Sequence, residues 1–185
     1  MRACFLFLLL GNVFYGRLQA QVAGADPVLS GSSHLVSLSA HVPIGVFSQS
    51  HVAGAGLSYS WSAHRYGSSK IIPSKPAGLT FTGGAAYYFG KKVTTAGHDF
   101  RYSSYTYLHA GAGVIVNPWE DGSISVTAGP GVGIYGGKTS VGAAAGLCGN
   151  YFIRPRMAIG PEITYKKHAR TDALWTGGIR VSCVF

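Results

Sequence analysis

The sequence predicts an all-β protein: an eight-stranded, antiparallel, up-and-down transmembrane β-barrel preceded by a cleavable signal peptide. Three observations point there. Charged residues are only 11% of the 185-residue chain, against about 25% in ordinary soluble proteins. Beyond residue 21 the apolar runs are short and broken by Gly and Ser, so no helical span is on offer. Segments near ten residues long alternate with period two, one face free of charge and the other polar. A chain too apolar for water and without membrane helices satisfies its backbone in lipid by closing a sheet on itself.

The first element is a leader. Arg2 supplies a positive start, residues 4–10 are an apolar run, and Ala20 is a small residue before a cut. That anatomy predicts a signal peptide over 1–20, and the run is well short of the ~20 apolar residues that span a bilayer. Cys4 lies inside the apolar run, so no lipid-modified cysteine at the mature N-terminus is expected. Residues 21–33 are expected to be a periplasmic linker and 34–185 the barrel. Lys and Arg total 15 against 6 acids, giving +9; losing Arg2 and Arg17 with the leader leaves +7. The basic residues do not interleave with aromatics in a groove-like run, which weighs against nucleic acid as a partner.

Eight strands follow, at 34–42, 53–64, 79–89, 105–116, 123–135, 141–153, 157–166 and 174–185. In the first, Val36, Leu38, Ala40 and Val42 oppose Ser37, Ser39 and His41. In the second, Ala53, Ala55, Leu57, Tyr59 and Trp61 oppose a row of Gly, Ser and His64. The third sets Leu79, Phe81, Tyr87 and Phe89 against Thr80, Thr82 and Tyr88. The fourth sets Leu108, Val114 and Val116 against Tyr105, Tyr107 and His109. Ile124, Val126, Val132 and Ile134 oppose Ser123, Ser125 and Thr127 in the fifth. In the sixth, Val141, Leu147, Tyr151 and Ile153 oppose Cys148 and Asn150. In the seventh, Met157, Ile159, Ile163 and Tyr165 oppose Glu162 and Thr164. The last strand puts Trp175, Ile179, Val181, Cys183 and Phe185 on one face and Arg180 on the other. A soluble barrel with a greasy interior shows the reverse polarity.

Turn signals separate the strands: Gly67-Ser68-Ser69, Asn117-Pro118 with Glu120-Asp121-Gly122, Gly136-Gly137, Arg154-Pro155-Arg156 and Thr171-Asp172. The 65–75 connection is long for a periplasmic turn. Pro130 and Pro161 fall inside strands of a closed sheet, so a bulge or a lost ladder bond is expected at each. Tyr59, Trp61, Tyr87, Phe89, Trp119, Tyr135, Tyr151, Trp175 and Phe185 gather near strand ends, where interfacial girdles belong. Cys148 and Cys183 have opposite phases, which argues against a disulfide between them.

With its leader, eight alternating strands and final aromatic, the chain resembles the small outer-membrane β-barrel family of Gram-negative bacteria. Segments 53–60 (AGAGLSYS), 81–90 (FTGGAAYYFG) and 126–135 (VTAGPGVGIY) are similar to the Gly-rich versions of Bacteroidota. The resemblance implies outer-membrane residence and insertion by the barrel-assembly machinery, which reads a terminal aromatic. Phe185, in phase with Cys183 and Val181, fits that signal, although Cys183 stands where a bulkier aromatic is common.

Few constellations suggest chemistry. Glu162 and Arg180 lie on neighbouring strands and point inward, which predicts an ion pair in the lumen, since either charge alone is costly there. Tyr88, Tyr105, Tyr107 and His109 are expected to pack the lumen, leaving no conducting pore. The 129–137 glycine run before Lys138-Thr139 has Val132 where a phosphate loop needs Gly. Seven scattered histidines make no zinc spacing, so neither metal nor cofactor is expected. His168 near Thr171 and Asp172 has no serine beside it. The expectation is a non-enzymatic outer-membrane protein; the alternatives are a lipid-modifying barrel of the lipid A deacylase or acyltransferase type, or an accessory subunit of a larger outer-membrane complex. At the outer strand ends Lys91, Lys92, Arg101, Lys138, Lys166, Lys167 and Arg170 are opposed only by Asp99 and Asp172. Such a rim suits lipopolysaccharide phosphates, or other outer-membrane proteins, or is simply a solvated edge. The loops look too short for a protruding finger.

Overall fold

The computed structural model describes residues 33–63, 77–95, 97–119, 121–169 and 172–185. The expected leader, the linker up to residue 32, the 65–75 connection and Arg170 lie outside the described residues. The strands are β1 (Ser33–Ile44), β2 (His51–Ser62), β3 (Ala77–Gly90), β4 (Lys92–Thr95), β5 (His98–Arg101), β6 (Tyr105–Trp119), β7 (Gly122–Tyr135), β8 (Lys138–Arg154), β9 (Met157–His168) and β10 (Leu174–Val184), with one short helix, α1 (Phe47–Ser50).

Eight of the strands close a barrel in the order β1-β10-β9-β8-β7-β6-β3-β2, each paired antiparallel with its neighbours. Closure joins the first and last strands: Ser37 stands opposite Ser182, their hydroxyls 2.8 Å apart, and the Phe185 N–H donates to the His34 carbonyl at 2.9 Å. The predicted architecture is the observed one, and the alternation holds. Leu38, Val141 and Ile179 leave 65%, 67% and 61% of their surface exposed, while Ser37, Thr80, Ser123 and Ser182 are essentially sealed. An apolar outside around a polar inside is stable only with lipid on the outside.

Inside, three layers stack along the axis. Near the chain ends Leu35, Ile115, Phe152 and Ala158 pack together with Val184. The middle is polar. Toward the far end Phe47, Ala86, Tyr88, Tyr105 and Tyr107 pack with Ala144 and Leu174. Buried apolar residues thus lie at both ends of the polar middle.

The turns follow local chemistry. Gly136 and Gly137 have φ of 55° and 77° and join β7 to β8 with Tyr135 opposite Lys138, the two-residue turn whose twist suits a hairpin. Register shifts lie at rims, between His51 and Gly54, Val116 and Trp119, and Phe152 and Arg154. The two strand prolines produce no bulge. Pro130 keeps its place opposite Ala143 on β8, while the β6–β7 pairing lapses from His109↔Gly131 to Ala112↔Ala128 and resumes in the same register. Pro161 stays opposite Ile179, and the β8–β9 pairing lapses from Cys148↔Glu162 to Tyr151↔Ile159. Each missing N–H therefore faces a single neighbour.

Two elements depart from the sequence reading. The 91–104 stretch is not a short loop: β4 and β5 form a hairpin above the barrel, Lys92 opposite Arg101. The β1–β2 connection folds α1 inward and seats Phe47, 3% exposed, on the far-end layer.

Candidate functional site

The lumen is where the polar residues converge, because period two on every strand aims them there. Large side chains fit because glycines stand beside them. A Cβ on Gly131 would lie 1.8 Å from the Tyr107 hydroxyl, and one on Gly54 would lie 2.5 Å from the Tyr88 ring. Tyr88, Tyr105 and Tyr107 are 0%, 5% and 1% exposed. His109 stacks on Tyr107 with ring centres 5.9 Å apart.

The expected direct pairing of Glu162 with Arg180 is not what forms. Gly178 stands opposite Glu162, and Gly160 stands opposite Arg180, so the two charges are offset by two residues. Arg180 reaches over Gly160 and donates through Nε and Nη2 to the Asn150 Oδ1, at 3.2 and 2.8 Å. The Asn150 amide then donates to Ser123 Oγ at 3.1 Å. Glu162 faces His41 Nε2 at 3.7 Å, an ionic separation too long for a hydrogen bond. His41 Nδ1 meets the Tyr88 hydroxyl at 3.0 Å.

Lys166 is a second correction. It was expected at the outer rim, yet it is 2% exposed. It shares the inward phase of Glu162 and Thr164, so its stem points into the barrel. Its ammonium donates to the Tyr88 hydroxyl, lies 4.4 Å from the Tyr88 ring centre and 5.3 Å from that of Tyr107, and reaches Thr176 Oγ1 at 3.5 Å. Two aromatic faces and two hydroxyl oxygens replace the water it has left. Tyr107's own hydroxyl and His41 Nε2 are buried without a hydrogen bond and line a cavity of about 50 Å³ together with His109, Glu162, Lys166 and Arg180. Sequence phase placed His41, Asn150 and Thr176 inward, but nothing in it indicated their partners. Phe47 carried no signal at all.

Of the remaining rim cations, Lys91, Lys92, Arg101, Lys138 and Lys167 are exposed. Lys92 pairs with Asp99 at 2.5 Å, and the Thr94 hydroxyl donates to the same carboxylate at 2.7 Å. Those two donors hold the Asp99 carboxyl below its ordinary range. At the other end Val181 and Cys183 face outward opposite Leu38 and Val36, and Phe185 is 42% exposed. Cys148 is buried in the lumen and Cys183 is exposed, both as free thiols. Among the described residues, no group of three or more His, Cys, Asp or Glu is arranged to hold a metal ion.

The fold has counterparts among solved structures. The fold is that of the small transmembrane β-barrels. Ail, the attachment invasion locus protein of Yersinia pestis, in complex with the heparin analogue sucrose octasulfate, superposes with a TM-score of 0.55 at 13% identity, covering 85% of this chain and 100% of Ail. The outer membrane enzyme PagL gives 0.54 at 12% identity, over 80% of this chain and 98% of its own. The N-terminal β-barrel domain of Pseudomonas aeruginosa OprF gives 0.51 at 11% identity, over 84% and 98%. No protein-family model and no curated protein matches the sequence.

Proposed function

We propose that this chain is a non-enzymatic integral protein of the bacterial outer membrane whose work is done at its outer rim, against lipopolysaccharide or a partner protein. One observation carries the reading: the wall is apolar outside, and the polar lumen has a cluster of buried apolar side chains toward each end. The far rim presents the exposed side chains of Lys91, Arg101 and Lys138, with Lys167 beside them. Cations at that level suit phosphate or sulfate polyanions, the class of ligand that Ail holds in its complex with sucrose octasulfate. In this reading residues 1–20 are removed on export, and the barrel-assembly machinery reads Phe185 with Val181 and Cys183 in phase. Replacing Lys91, Arg101, Lys138 and Lys167 together with Gln should sharply reduce co-purifying lipopolysaccharide. Unchanged lipid in the quadruple variant would overturn the rim assignment.

The lipid-modifying alternative draws on PagL for fold only. His168, its nearest candidate base, is 3% exposed with Nε2 2.6 Å from the Tyr105 hydroxyl. A ring held there is not poised to activate a nucleophile at the rim. Mass spectrometry of lipid A from cells with and without the protein tests this reading; loss or transfer of an acyl chain would reinstate the enzyme.

A further inference from the structure

The β4–β5 hairpin is a separate two-stranded sheet, but its pairing keeps the count of the β3–β6 ladder. Tyr88 stands opposite Tyr105 in the barrel, and four residues along each strand Lys92 stands opposite Arg101. The Tyr102 N–H donates to the Lys91 carbonyl at 3.0 Å between them. The inward phase of β3 therefore becomes Lys92, Thr94, Asp99 and Arg101, the face that carries the hairpin's own ion pair. By the same count the phase of Tyr87 and Phe89 carries on to exposed Lys91 and Phe100 and half-buried Val93 and Tyr102. Phe100 and Phe89 are 57% and 50% exposed, and Phe100 packs edge-on to Tyr102 with centres 5.0 Å apart.

Height identifies the occupant. From Leu79 to Phe89 the outward row rises about 25 Å at ~3.3 Å per residue and ~40° tilt, the full apolar band of an outer-membrane barrel. A hairpin that keeps this rise and tilt places Val93 and Phe100 about 10 Å higher, above the ~5–7 Å headgroup layer of a phospholipid leaflet. We propose that this outward face, Phe100 and Tyr102 with Lys91 and Val93, docks against the phosphorylated sugars of outer-leaflet glycolipid. The aromatic faces take the sugar rings and Lys91 takes a phosphate. The inference rests on the outer-rim reading above and narrows it to one face of one hairpin.

Hydrogen–deuterium exchange on the full mature chain in nanodiscs tests it. The peptide spanning 91–104 should exchange about tenfold more slowly with lipopolysaccharide in the disc than with phospholipid alone. Phe100→Ser with Lys91→Gln should abolish that difference, whereas Thr94→Val on the opposite face should retain it. Migration of unheated protein on a detergent gel checks that each variant is a folded barrel. Equal exchange in both membranes, while lipopolysaccharide still co-purifies, would overturn the docking face and leave the rim reading standing. Absence of co-purifying lipopolysaccharide from the wild-type protein would remove both.

Discussion

Tyr107 and Gly131 show how single residues decide this interior. The tyrosine ring lies where a Cβ on Gly131 would be, 1.8 Å from its hydroxyl. Gly131→Ala should cost about 1–3 kcal/mol through overpacking, read as a lower denaturant midpoint of the folded barrel. Outward Gly83, whose Cβ would meet only the His109 carbonyl at 3.7 Å, is the control and should be near neutral. Asn150 is the second case. It is 2% exposed and accepts two bonds from the Arg180 guanidinium. Asn150→Leu strands that charge and should destabilise by about 2–4 kcal/mol; a loss below that range would mean that Arg180 finds another acceptor. At this scale the sequence told which way a side chain points, because period two is enforced by the pleat. It did not tell which partner is met. Glu162 and Arg180 share a phase but sit two residues apart across β9 and β10, and Lys166 combines the height of the rim with an inward phase.

Strands were legible as elements because each carries its own alternation over ten or more residues. The hairpin and α1 were not, being four-residue pieces whose order comes from what they touch. Pro130 shows how a strand absorbs a defect. Its missing N–H faces β6, where pairing lapses around Ala110 and Gly111. Pro130→Ala should restore a donor there, and the new amide at position 130 should be protected from exchange; free exchange in the folded barrel would mean that the lapse has another cause. The hairpin carries a pH dependence. Lys92 and Thr94 hold the Asp99 carboxylate below its ordinary pKa, so their support is complete above the ordinary carboxylate range. It is lost as pH falls through the lowered value. Amide protection across 92–101 should hold as pH drops through the ordinary range and fall only below it. Asp99→Asn should remove the dependence.

For the whole molecule the decisive property is that buried apolar side chains gather at both ends of the lumen. The Phe47–Tyr88–Tyr105–Tyr107 layer and the Leu35–Ile115–Phe152–Ala158 layer lie at opposite ends of a polar middle. An eight-stranded barrel is only wide enough for side chains to fill, so a water path requires both layers to be broken. Phe47 is the piece most easily removed, since it is supplied by a short connection and packs edge-on against Tyr88 and Tyr105 with centres 5.1 and 5.6 Å away. Phe47→Ala should open the far end to solvent without opening the membrane. Tyr88 and Tyr105 would gain exposure to an aqueous quencher, while planar bilayers would show no discrete single-channel steps from either the wild type or the variant. Phe47→Ala combined with Phe152→Ala should lower the barrier at both ends and is the variant in which ion leakage is expected. Discrete conductance from Phe47→Ala alone would mean that the layer near the chain ends does not seal, and the protein would then be a gated pore with α1 as its gate.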